Sequence, residues 1–212
     1  MRFQKCRELF GKDFEKIVKA KIILFGMGGV GGHCLDALYR TGIKDITIVD
    51  FDKYDITNQN RQIASENLNK IKTKVLSKLY PKITSITQKA TKEWIEDFDF
   101  NDFDIIIDAI DDIPAKVALA NKTYNKYISS CGGANRIDPT KIEIASIWKT
   151  TNDPFAKKFR YELKKSGFNR DFKVVYSKEL PVKCEGLGSF IGVTGSMGLA
   201  LASLALQKLI TR

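Results

Sequence analysis

Short apolar runs alternate with longer amphipathic stretches over the first 130 residues. Lys21-Ile22-Ile23-Leu24-Phe25, Ile46-Thr47-Ile48-Val49, Ile105-Ile106-Ile107 and Tyr127–Ser130 are too short for helices, and they predict buried parallel strands. Ile83–Thr87 supplies a further strand. Between them, Gly31–Arg40, Asn67–Leu79 and a segment from Pro114 to about Lys126 predict helices. Gly42 stops the first, Pro81 stops the second, and Pro114 suits the first turn of the third. This β-α-β-α order predicts a doubly wound, Rossmann-like α/β fold, with a mostly parallel sheet and helices on both faces. After Gly132-Gly133 the pattern changes. Lys141–Trp148 alternates as a strand, Asp153–Lys165 is a basic helix, Phe172–Lys183 is irregular or strand, and Thr194–Ile210 is an apolar closing helix. The expected organisation is one domain over 1–212, in which 1–131 form a nucleotide-binding core. Residues 132–212 form a mixed C-terminal extension that faces the substrate and ends in the closing helix.

The first strand runs into Gly26-Met27-Gly28-Gly29-Val30-Gly31, which opens a helix. Glycines at 26, 28, 29 and 31 allow a tight turn and close backbone approach, and the helix N-terminus presents free amides to phosphate. Asp50 ends the next strand, where a carboxylate accepts hydrogen bonds from a ribose. That fingerprint alone fits a dinucleotide cofactor. The continuation Asp50-Phe51-Asp52 and Thr57-Asn58-Gln59-Asn60-Arg61-Gln62 changes the picture, because a redox cofactor has no use for it and a triphosphate does. Arg61 offers a planar fork of donors to phosphate, Lys74 on the following helix adds a point charge, and Asp52 or Asp111 offers oxygen to magnesium.

The net charge of +10 favours a polyanionic partner, although a lysine-rich genome would give the same balance. Cys6, Cys34, Cys131 and Cys184 form no C-x-x-C pair, so a structural zinc site is not expected. Met1–Lys5 carries no apolar leader core, and with the dispersed cysteines this predicts a reducing cytoplasm. Leu187–Gln207 carries no charge and is long enough for a bilayer, but its glycines and hydroxyls predict a buried loop and helix rather than a membrane segment.

The glycine loop, Asp50-Phe51-Asp52, Thr57–Gln62, Lys74 and Ala109-Ile110-Asp111 together resemble the ubiquitin-activating-enzyme-like, ThiF-type adenylating family. The resemblance implies adenylation of a carboxylate with ATP and Mg2+, in which Gly29 and Asp50 bind nucleotide. Asn58, Arg61 and Lys74 would contact phosphates, and Asp111 would act near magnesium. An N-terminal arginine reaches across a homodimer in related enzymes, and Arg2 matches it best. Arg2-Phe3, Leu9-Phe10-Gly11, Asp108–Asp111, Gly132–Ile142 and Lys149–Lys158 resemble the branch that dehydrates threonylcarbamoyladenosine in tRNA. That branch would adenylate the free carboxylate of the modified nucleoside. The neighbouring carbamoyl group would then close a ring and expel AMP.

Lys157, Lys158, Arg160 and Lys164 lie on the predicted basic helix, opposite Phe155, Phe159 and Leu163. They form either a phosphate-binding strip for tRNA, which Arg136 and Arg170 would extend, or a solvated face. Cys184, in Lys183-Cys184-Glu185-Gly186, is a candidate thiol for a covalent link to a carrier, or a passive loop residue. The main rival is an activator of a ubiquitin-like or sulfur-carrier protein, with a sulfur-relay or carrier partner. Such relatives usually carry two C-x-x-C pairs that this chain lacks.

Overall fold

The computed structural model describes residues 2–211. In chain order the elements are α1 (Gln4–Phe10), α2 (Phe14–Val18), β1 (Ile22–Phe25), α3 (Gly31–Thr41), β2 (Ile46–Val49), α4 (Lys72–Leu79), β3 (Thr84–Ile86) and α5 (Lys92–Asp97). They continue with β4 (Ile105–Asp108), α6 (Ile113–Thr123), β5 (Tyr127–Ser130), β6 (Ile142–Ser146), α7 (Pro154–Lys165), β7 (Lys173–Ser177) and α8 (Ile191–Ile210). Among the described residues the seven strands form one sheet, ordered β3-β2-β1-β4-β5-β7-β6. Every pairing is parallel except β6 with β7. The doubly wound core and the mixed extension thus share a single sheet.

The side-chain period of two along each strand divides the interior. Ile22, Leu24, Ile46, Ile48, Ile105 and Ile107 face Leu35 and Leu38 of α3, Leu76 of α4 and Met197 and Leu201 of α8. Ile23, Phe25, Val49, Ile106 and Tyr127 face Ile95 of α5, Leu119 of α6 and Phe159 and Leu163 of α7. Both faces being covered explains why these strands read as unbroken apolar runs. The uncharged C-terminal stretch becomes α8, which by length and composition alone would cross a membrane. Here it packs against α3 and the sheet, as the core reading expects. Glycine permits that approach, since a Cβ at Gly198 would lie 2.4 Å from the Val30 carbonyl oxygen.

Several boundaries differ from expectation. The helix placed over 67–79 begins only at Lys72. Asn69 has φ of 62°, and Asn69, Lys70 and Lys72 are drawn into backbone hydrogen bonds with residues 52–54. Those bonds are Tyr54 N to Lys70 O (3.0 Å), Asn69 N to Tyr54 O (2.9 Å) and Lys72 N to Asp52 O (3.0 Å). A tertiary pairing therefore overrides local helix propensity. The strand expected to reach Trp148 ends at Ser146 and turns into a 3₁₀ segment, and α8 starts three residues before Thr194. The short helices α1, α2 and α5 were not signalled by apolar periodicity; α5 is opened by Thr91, whose hydroxyl accepts from Trp94 N at 3.3 Å.

Candidate functional site

The carboxyl ends of β1, β2, β4 and β5 open into a cleft of about 810 Å³. This is the side on which parallel α/β sheets hold ligands, where strand order reverses. Gly26 has φ of +85°, and a Cβ there would come within 2.7 Å of the Ala109 carbonyl oxygen. A Cβ on Gly31 would stand 1.7 Å from Gly26 O. The loop is therefore folded on its own backbone, leaving the start of α3 open to the cleft. Gly26, Gly28 and Gly29 line it, while Gly31 shapes the turn from behind.

Asp50 follows β2 and is buried. Its carboxylate accepts from Met27 N at 2.5 Å and from Asp52 N at 2.7 Å. Burial pushes this carboxyl up, against the two backbone amides and the nearby Lys72 ammonium. Asn58 is buried at the end of a 3₁₀ turn, where its side-chain oxygen accepts from Asp55 N at 3.1 Å. Arg61 is held by Thr57 O (2.7 Å) and Asn60 Oδ1 (2.8 Å), and its stem lies over Gly29. Thr194 of α8 backs Gly29 from another direction.

The structure brings Gly26, Gly28, Gly29, Asp50, Asp52, Asn58, Arg61 and Asp111 to one cleft. It does not bring Lys74, which is exposed and does not line it. Lys72 and Lys89 line the cleft instead, and Lys72 is the buried one, with Nζ 3.1 Å from Asp52 Oδ2 and a side chain only 6% exposed. Lys72 opens α4 instead of lying within a helix begun at Asn67, and the turn at Asn69 aims it at Asp52. Arg2 lies away from the cleft of its own chain, stacking its guanidinium 5.6 Å from the Tyr39 ring beside a smaller hollow shared with Arg40 and Tyr80.

The opposite wall comes from residues 132–136, from Asp153 and Phe155, and from the loop before α8. Asn135, at φ of 58°, organises that loop. It accepts from Val182 N (2.7 Å) and Gly188 N (2.6 Å), and donates to Gly188 O (2.8 Å) and Gly186 O (3.2 Å). Cys184 rides on this loop, exposed and outside the cleft lining, while Cys131 is buried beside the cleft. Arg136 is not a surface extension of a basic strip. It is buried, donating to Gly132 O and Ala134 O at 3.0 Å and lying 3.7 Å from Asp153. Among the described residues Arg136 Nη2 and Asp153 Oδ2 have no hydrogen-bond partner. Asp153 also caps α7, and burial pushes its carboxyl up. On α7 itself Lys157, Lys158 and Lys164 are exposed, whereas Arg160 is half-buried and bonded to Thr150.

Lys116 received no role from the sequence. A lysine on a predicted helix reads as solvated, yet this one is fully buried against Asp108. No cluster of three or more His, Cys, Asp or Glu side chains assembles among the described residues. Asp111, at the cleft rim, offers the oxygen donor that suits Mg2+, which commonly takes one or two carboxylates and completes its shell with phosphates and water.

The model of the ThiF family matches residues 4–147. The tRNA threonylcarbamoyladenosine dehydratase of Bacillus subtilis (strain 168) is 34% identical over 194 residues, covering 85% of this chain and 76% of that protein. The structure of Escherichia coli tRNA N6-threonylcarbamoyladenosine dehydratase in complex with AMP superposes with a TM-score of 0.92 at 32% identity. The alignment covers 99% of this chain and 94% of that one. The same enzyme in complex with ATP gives 0.90 at 30% identity over equal shares.

Proposed function

Because this chain belongs to the ThiF family, we propose that it uses ATP to adenylate the carboxylate of threonylcarbamoyladenosine in tRNA and closes that group to its cyclic form, with net loss of water. The observation that carries this reading is the convergence of Gly28, Gly29, Asp50, Asn58, Arg61 and Lys72 on one cleft. The fold around that cleft follows a dehydratase of this kind along nearly its whole length.

Asp50, held by the amides of Met27 and Asp52, accepts the hydroxyls of the ATP ribose. The amides opening α3 face the phosphates. The substrate carboxylate attacks the α-phosphorus and pyrophosphate leaves, with Arg61 and Lys72 stabilising the charge that develops on it. Mg2+, held through Asp111 and phosphate oxygens, would supply further positive charge. A carboxylate is a poor electrophile, and adenylation gives its carbon a good leaving group. The carbamoyl group of the same nucleoside then attacks that carbon and AMP departs. Proximity within one nucleoside supplies part of the roughly 7–11 kcal/mol that high effective molarity offers.

The basic face of α7 is our proposed contact for the tRNA backbone, and the cytoplasm the expected place of action. A homodimer, with Arg2 serving a neighbouring subunit, rests on family resemblance and is tested by light scattering on the purified protein. The deciding experiment incubates the protein with ATP, Mg2+ and tRNA carrying threonylcarbamoyladenosine, then weighs the digested nucleosides. Loss of one water from that nucleoside supports the reading. No loss, with AMP released only when a carrier protein is added, would replace it with carrier-protein activation; Cys184 would then be the thiol to examine.

A further inference from the structure

Asp108 and Lys116 are both completely buried, with Lys116 Nζ 2.7 Å from Asp108 Oδ2. Ser129 Oγ accepts from Lys116 at 2.9 Å and donates to Asp108 Oδ2 at 2.8 Å, and the Tyr127 hydroxyl donates to the same carboxylate oxygen. The rings of Phe155 and Phe159, each with its centroid 5.7 Å from the ammonium, flank Lys116. Four polar groups from β4, β5 and α6 thus satisfy one another without solvent.

The other carboxylate oxygen has a different task. Asp108 Oδ1 accepts the backbone N–H of Ile110 at 3.0 Å. Ile110 directly precedes Asp111, and the carbonyl of Ala109 is the surface against which Gly26 is packed. Asp112, the next residue, caps α6 through Ala115 N at 2.8 Å. The turn that presents Asp111 is therefore held at both ends, by Asp108 behind it and by the Asp112 cap ahead of it. Desolvating two charges costs several kcal/mol per ion, and a well-packed apolar pair would often serve stability as well. What an apolar pair lacks is a fixed acceptor for the Ile110 amide.

We propose that Lys116 is a positioning residue for Asp111: it fixes the carboxylate of Asp108 so that the Ile110 amide, and with it the turn carrying Asp111, is set at the edge of the nucleotide cleft. The consequence for turnover rests on the function proposed above, whereas the consequence for the turn itself does not.

The test compares wild type with Lys116→Met by residue-resolved amide hydrogen exchange, by ATP–pyrophosphate exchange in the presence of tRNA substrate, and by calorimetric AMP binding. Exchange at Ile110 should quicken about tenfold or more, while Ile106 and Ile107 in the centre of β4 keep their protection. Pyrophosphate exchange should fall about tenfold in kcat, while the AMP dissociation constant stays within about twofold, because Asp50 and the glycine loop are untouched. If Lys116→Met does not accumulate as folded protein, Ser129→Ala carries the same comparison, since it removes one bond to each member of the pair. Unchanged protection at Ile110 in a folded variant would overturn the proposal. So would faster exchange spread evenly over β4 and α6, which would make the pair a core brace only. Faster exchange confined to the turn in a protein that lacks tRNA activity would uphold the positioning role and refute the function instead.

Discussion

The ammonium of Lys72 lies 3.1 Å from the carboxylate of Asp52, whose own backbone amide donates to Asp50 at 2.7 Å. One cation and two acids thus form a connected series along the nucleotide side of the cleft. In the proposed reaction the Lys72 side chain would turn from Asp52 towards phosphate.

Lys72 and Lys74 are therefore expected to part company on mutation. Lys72→Met should lower kcat/KM for ATP by about a hundredfold, the scale of a lost charged contact in a desolvated site. Lys74→Met should leave it within about twofold, because that residue is exposed and outside the cleft. Steady-state AMP release checks both, and equal losses in the two variants would refute the assignment.

Asp50 should impose an acid limit on nucleotide binding. Its carboxyl is pushed above the ordinary value of 3.8 by burial. The proposed ribose contact would need the ionised form, so AMP affinity measured by calorimetry should weaken on acidification at a pH already above that value. Folding stability carries the opposite sign. The folded state holds this proton more readily than the unfolded one, so the group's contribution is fully present below 3.8 and fades as pH rises through the raised value. Asp50→Asn should bind AMP weakly at every pH and lose the acid limb.

The exposed lysines of α7 are expected to govern tRNA and not ATP. Reversing Lys157, Lys158 and Lys164 to glutamate should raise the KM for tRNA about tenfold or more and flatten its salt dependence, with KM for ATP unchanged. Arg160→Ala should act differently, lowering thermal stability through the loss of its bonds to Thr150. Equal tRNA affinity in the triple variant would remove α7 from the interface.

Gly198→Ala should separate α8 from α3, because the added carbon would meet Val30 O at 2.4 Å and His33 Cβ at 2.8 Å. Overpacking of this kind costs about 1–3 kcal/mol, which corresponds to a fall of roughly 2–12 °C in Tm for a chain of this size. Calorimetric unfolding measures it directly.

The central strands of the nucleotide core could be read from the sequence because they are apolar runs buried on both faces, as Ile22–Phe25 and Ile105–Ile107 show; β3, Thr84–Ile86, is a partly exposed edge strand. The glycine loop and Asp50 were legible for a related reason, since strand, turn and helix lie within one continuous segment. Lys72 was not. Its position depends on the pairing of residues 69–72 with 52–54, and no local periodicity reports that. Lys116 was hidden more deeply, because only the juxtaposition with Asp108 on another element distinguishes it from a solvated helix lysine. Arg136 failed as a surface residue for the same reason, its partners Asp153 and Glu179 being distant in the chain.

The contact between Thr194 and Gly29 joins the last helix to the first loop of the sheet. During synthesis the glycine loop emerges long before the helix that backs it. Ribosome-bound chains that stop short of residue 194 lack that support, so ATP-binding competence is expected only once α8 has packed on α3. An arrest series along the chain should show nucleotide retention switching on only after that helix has cleared the exit tunnel.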